Sequence, residues 1–196
     1  MNQPRLLVLA AALFAATVCA VTVKAADRPS ASHCGGIRWR MKTLSDTQRN
    51  LVRLNPASST IGAIDALRPP TTTPLKRTTQ FQKQTWEVVA QIVSYKREGD
   101  EIRLSLFDDG DYMNAVIPGP PCLGPASRDR AAMAAAWTQF ESRCGHATSA
   151  TQPLGAVAYV DGVGFWGGRT SRHGASPNGA ELHPVTSLRL VAGCGS

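Results

Sequence analysis

The sequence predicts a mainly β domain of five strands and one helix. Three observations carry the prediction. Between residues 86 and 117 three β-rich runs follow one another, separated by turn signals. One segment with apolar residues at helical spacing comes next. Two further β-rich runs close the chain.

The first run, Trp86 to Tyr95, is β-branched and aromatic, and Glu98-Gly99-Asp100 turns the chain. In the second, Glu101 to Phe107, Ile102, Leu104 and Leu106 point one way and Arg103 and Ser105 the other. Asp108-Asp109-Gly110-Asp111 makes a hairpin turn, its glycine supplying positive φ. The third run, Tyr112 to Ile117, stops at Pro118-Gly119-Pro120-Pro121. A helix is expected over 128–143. Ser127 is its N-cap, Asp129 suits the first turn, and Gly145 suits the position past the end. Met133, Ala136, Trp137 and Phe140 form its apolar stripe. The fourth strand is expected from Gly155 to Trp166 and the fifth from 182 to 191. Three strands, a helix and two strands is the order of an OB fold, in which the helix plugs the barrel between strands three and four. The expected fold class is therefore an OB-like five-stranded barrel with an irregular N-terminal arm; the alternative is an open α+β sandwich.

The chain has 196 residues, enough for one domain with extensions. Arg5, the apolar run Leu6–Val18 and Val23-Lys24-Ala25 have the layout of a secretory signal peptide, with cleavage after Ala25, or after Ala20 as second choice. A lipoprotein reading would use Cys19, but Val18 stands where a small residue is needed. The apolar run is shorter than the roughly 20 residues a membrane helix needs, and no later segment is apolar enough. The expected layout is a signal peptide over 1–25, an irregular arm over 26–80 and the barrel domain over 81–196, in a secreted or periplasmic protein without a transmembrane span. The arm holds loop signals such as Asn55-Pro56-Ala57-Ser58-Ser59 and Arg68-Pro69-Pro70-Thr71-Thr72-Thr73-Pro74, with one helical turn expected between Ser59 and Leu67.

The formal charge is +7; without Arg5 and Lys24 it is +5, from 19 basic and 14 acidic residues. That excess favours an anionic partner, although no run of Lys or Arg forms a patch and a solvated basic surface is the plainer reading. Four cysteines remain after the signal: Cys34, Cys122, Cys144 and Cys194. An even number in an exported chain argues for disulfides, and three pairings are open.

With these residues in view, the chain resembles a family of uncharacterised secreted bacterial proteins. The opening Cys34-Gly35-Gly36-Ile37-Arg38-Trp39-Arg40-Met41-Lys42-Thr43 is similar to that family's Cys-Gly, Arg-Trp, Lys-Thr pattern. Its middle is similar at Glu87–Val93, Asp100–Asp108, Ile117-Pro118 and Cys122, and Val163-Gly164-Phe165-Trp166 is similar to a strand near its end. Gly174 to Val185 follows the family's Gly-x-Ala-Pro-Asn-x-x-Glu-Leu-His-Pro-Val pattern, with Ser176 in place of alanine. The resemblance spans nearly the whole mature chain and implies a secreted domain without bringing an activity. It also implies a Cys34–Cys122 disulfide, which leaves Cys144 with Cys194, two positions outside the family pattern.

Several residues are candidates for chemistry. Glu181 and His183, two apart in an extended stretch, leave one face, where they can bind a metal or transfer a proton. His173 and Asn178 come from the preceding loop. The plainer reading has Glu181 accepting hydrogen bonds from loop amides and His183 packing before Pro184. Arg103, Phe107, Tyr112 and Lys96 would make a single-strand nucleic-acid groove, or the two aromatics simply cap the barrel. Asp108, Asp109 and Asp111 lack the spacing of a calcium loop. Asp100, Asp108, Asp111 and Arg128 match no nuclease motif. No nucleophile elbow, metalloprotease motif or phosphate loop occurs, and the glycines of 162–168 suit strand bulges better than a nucleotide loop. The function expected is an exported binding or envelope-associated module, non-enzymatic and needing no cofactor, whose ligand the sequence does not name. The alternative is a metal-assisted hydrolase, acting on nucleic acid among other substrates, that uses Glu181 and His183.

Overall fold

A computed structural model describes residues 34, 36, 38–170 and 174–194. The expected signal peptide, Cys19 and His173 lie outside them. The described chain is mainly β: a mixed six-stranded sheet with two short α-helices and one of 15 residues.

The five expected strands are present and longer than their cores suggested. They are β2 (Gln84–Glu98), β3 (Glu101–Asp108), β4 (Asp111–Pro118), β5 (Gln152–Trp166) and β6 (Ala180–Ala192). β2–β3–β4 is an antiparallel meander. β6 pairs antiparallel with β5 and meets β4 in a short parallel contact, Asn114 beside Glu181 and Ala115 beside Leu182. β5 pairs in turn with β2, so the strands close in a ring rather than an open sheet. Gly162 and Gly164 stand where the β5–β6 register shifts. A Cβ on Gly164 would sit 2.1 Å from the Phe81 carbonyl oxygen, so no larger residue fits that crossing.

The inward set of β3 (Ile102, Leu104 and Leu106) packs with Val88, Ile92, Met113, Leu182 and Val185. The helix α3 (Arg130–Cys144) lies between β4 and β5 in the chain. Its predicted stripe, Met133, Ala136, Trp137 and Phe140, is buried, and Gly145 follows it with φ of 92°. The predicted cap does not form. Ser127 closes a turn on the Gly124 carbonyl, and the Arg128 amide is held by the Leu44 carbonyl, so the helix starts two residues late, after Asp129 at φ 61°.

The N-terminal segment is less irregular than expected. It contains α1 (Trp39–Lys42), β1 (Arg53–Ser58) and α2 (Ile61–Asp65), capped by Thr60. The 55–58 stretch, a loop by its composition, lies parallel to the start of β2. β3 pairs with β2 only from Gln91 onward, which leaves that edge free for β1. Leu44 and Val52 bury against Val163 on the outer side of the ring.

Both implied disulfides are present. Cys34–Cys122 joins the N-terminal segment to the turn after β4, and Cys144–Cys194 joins the end of α3 to the chain past β6. Among the described residues no helix is long and apolar enough to cross a membrane.

Candidate functional site

Leu182 belongs to the core, so its neighbours Glu181 and His183 leave the other face of β6. Glu101 and Arg103 leave the outer face of β3, opposite to Ile102 and Leu104. Residues 38–46 lie over this part of the ring. Arg38 stacks over the Phe165 ring, whose other neighbour is the His183 imidazole, and donates to the Trp166 and Gly167 carbonyls. His183 is wholly shut off from solvent, at 0% exposure.

Cationic side chains, carboxylates and the His183 imidazole follow one another in a chain. Lys42 Nζ lies 3.3 Å from Glu101, whose Oε1 lies 2.9 Å from His183 Nε2. The latter contact is close in distance but not aligned as a hydrogen bond. His183 Nδ1 lies 4.0 Å from Glu181, too far for a hydrogen bond. Arg103 Nη1 donates to Glu181 at 3.1 Å and its Nε to Glu98 at 2.6 Å, and Lys96 pairs with Glu98 at 2.5 Å. Burial alone would raise the Glu101 carboxyl, but His183 and Lys42 outweigh it and hold the group at about 2. Against the same opposition from burial, His183 and Arg103 hold Glu181 below the usual carboxylate range. Lys96 and Arg103 do so for Glu98. Burial opposes the charge on Arg103, but its two carboxylates raise the guanidinium further.

This arrangement revises the expectation for Glu181. Among the described residues its hydrogen-bond partner is the Arg103 side chain rather than a loop amide. The loop approaches differently: a Cβ on Gly167 would stand 2.4 Å from Glu181 Oε1, so glycine alone lets the chain pass the carboxylate. Asn178 has a role within the fold. Its Nδ2 donates to the carbonyls of Ile64, Asp65 and Leu67 at the end of α2, and its Oδ1 accepts from the Ala180 amide.

The expected nucleic-acid residues fall in two groups. Lys96 and Arg103 border a polar cleft of about 590 Å³ with Ser94, Asn114, Glu181 and the 167–170 segment. Phe107 and Tyr112 form a tilted cross-strand pair, centroids 4.9 Å apart, further along the same strands. Between the groups, Gly174 lies against Ser105, so close that a Cβ there would stand 2.6 Å from its hydroxyl. Lys96 and Arg103 border the polar cleft, and Phe107 and Tyr112 are not among its lining residues. The acidic set is also dispersed. Asp100 follows β2, Asp108 and Asp111 face each other at the far end of β3, and Arg128 donates to the Arg49 and Val52 carbonyls.

For a metal, the donors near β6 are already engaged with cations, and Arg38, Lys42 and Arg103 crowd them with positive charge. Among the described residues Cys34, Asp100 and Cys122 also cluster, but both sulfurs are consumed in the disulfide. Sequence reasoning missed Glu101, Glu98, Lys42 and Arg38. It also missed Arg77, fully buried, whose guanidinium pairs with Asp46 and donates to the Met41 and Gln82 carbonyls.

No family model matches the chain. No curated protein matches it either. Among solved structures it is similar to a Leishmania major Friedlin protein described as an aspartyl-tRNA synthetase, with 12% identity and a TM-score of 0.43 over 72% of this chain. The match spans 22% of that structure's length, about a fifth.

Proposed function

We propose that the chain is an exported, non-enzymatic binding module on an OB-type barrel, residues 81–196 forming the barrel domain and 26–80 its covering arm. The barrel reading is supported by the five-strand ring β2–β3–β4–β6–β5, with its parallel β4–β6 contact, and by α3 lying between β4 and β5, the third and fourth of these strands in chain order. Export is supported by the signal-like segment 1–25, by the resemblance to a secreted family and by the two disulfides.

One observation carries the functional reading. The carboxylate of Glu181 is spent on Arg103 and His183 has no solvent access, while Lys96, Arg103 and Glu181 border an open polar cleft. Such a site offers charged and hydroxyl groups for holding a polar ligand, without a free base beside a reachable metal position. Native mass spectrometry of protein taken from the periplasm tests it. The expected result is a bound small molecule in the parent that is lost in Arg103→Ala. A stoichiometric metal lost in Glu181→Ala, with hydrolytic activity, would instead establish the metal-assisted hydrolase.

A further inference from the structure

We propose that the cleft between the strap 68–74 and the segment after β5 is an anion site for a phosphate monoester, held by Arg68 and Arg169. It goes beyond the binding-module reading, because it adds a second site and the chemistry of its ligand.

The cleft measures about 490 Å³. Among the described residues two arginines border it, Arg68 and Arg169, both exposed, and no acidic residue does. The neighbouring polar cleft shares Gly168 and Arg169 with it but is also bordered by Glu98 and Glu181, which answer Lys96 and Arg103. Arg77, Arg103, Lys42 and Lys96 each have a carboxylate at ion-pair distance. Among the described residues Arg68 and Arg169 have none. An arginine carries five donors and no acceptor, so two of them on one cleft call for an acceptor-rich anion. Thr71, Thr72 and Thr73 add hydroxyl donors to the same wall. A carboxylate offers two oxygens to this donor set; a phosphate monoester offers three peripheral oxygens and a second charge.

The site is also held in shape. Asn178 clamps the carbonyls of residues 64, 65 and 67 just before Arg68. Arg77, locked in the interior by Asp46, anchors the strap beyond Pro74. Between those clamps Pro69, Pro70 and Pro74 fix their own φ angles, which lowers the ordering cost of binding. On the opposite wall, Gly179 packs so tightly on Gly168 and Arg169 that a Cβ there would meet the Arg169 amide nitrogen at 2.9 Å. The Trp166 indole, buried against Phe81, donates to Thr79 Oγ1, and the prolines give the cleft an apolar border.

Equilibrium titration of the disulfide-intact protein with inorganic phosphate at low ionic strength tests the proposal, with acetate as the carboxylate comparison. Arg68→Ala and Arg169→Ala are each expected to weaken phosphate binding about tenfold or more, the effect of one charged hydrogen-bonding partner. The double variant should abolish it, and Arg40→Ala, which removes an exposed cation elsewhere, should leave it unchanged. No saturable binding in the parent, acetate bound as tightly as phosphate, or equal weakening in Arg40→Ala would overturn the assignment.

Discussion

His183 Nε2 lies 2.9 Å from Glu101 Oε1, and residues 38–42, which close over the pair, bring Lys42 to the same carboxylate. The Glu101 carboxyl is held at about 2 against an ordinary 4.5. The fold therefore favours its ionised form: the stabilisation is complete above about pH 4.5 and is lost as pH falls toward 2. A shift of that size corresponds to roughly 3 kcal/mol. Glu98 and Glu181, also lowered, act in the same direction. Asp65 and Asp161, raised chiefly by burial, act in the opposite one. Urea midpoints at pH 7, 4 and 2.5 should show the parent weakening in acid. Glu101→Gln should be less stable than the parent at pH 7 and lose less on acidification. Equal acid slopes in both proteins would remove Glu101 as the cause.

Glu181 and Arg103 should behave as one unit. Either change to alanine leaves a largely buried charge short of its partner, at a cost of about 1–3 kcal/mol. Because Arg103 also serves Glu98, Arg103→Ala should be the more damaging change. Thermal melts of both singles and the double form a cycle. The double should be less destabilised than the two singles added together, and strict additivity would refute the coupling.

Arg77→Ala should be among the most destabilising single changes, by about 3–5 kcal/mol. It strips Asp46 of its counter-charge and two buried carbonyls of their donor. Asp46→Asn should cost less, since the carbonyl contacts survive. A melting temperature within a degree of the parent for Arg77→Ala would contradict the anchoring role.

Replacing Cys144 and Cys194 together by serine should lower stability by about 2–4 kcal/mol, because the bond closes a long loop in the unfolded chain. Denaturant titration reads the loss, and non-reducing peptide mapping should find Cys34 with Cys122. A peptide joining Cys34 to Cys194 would refute both pairings.

Much of the β framework was legible because its signals are local. The alternation of Ile102, Leu104 and Leu106 and the stripe from Met133 to Phe140 name their own buried faces. The site was legible only in outline. Glu181 and His183 stood out by spacing, but Arg103 reaches Glu181 from 78 residues away, and no periodicity encodes that meeting. Glu101 reads as an exposed strand residue, yet it is buried, with Lys42 and His183 against its carboxylate. Arg77 sits in a Pro- and Thr-rich stretch that composition marks as loop. β1 escaped notice for a related reason. Pro56 argues against an interior strand, yet a strand paired along one side alone accommodates it.

That last placement bears on how the molecule meets copies of itself. Apart from the side of β6 beyond its two-pair contact with β4, the outward side of β1 is where a foreign strand could be added among the described strands. The row there is six residues long and interrupted at Pro56, which has no amide hydrogen to give. Arg53, Asn55 and Ser58 are exposed along it, so the invitation to intermolecular β-pairing is short, polar and broken, a built-in safeguard against fibrous self-association.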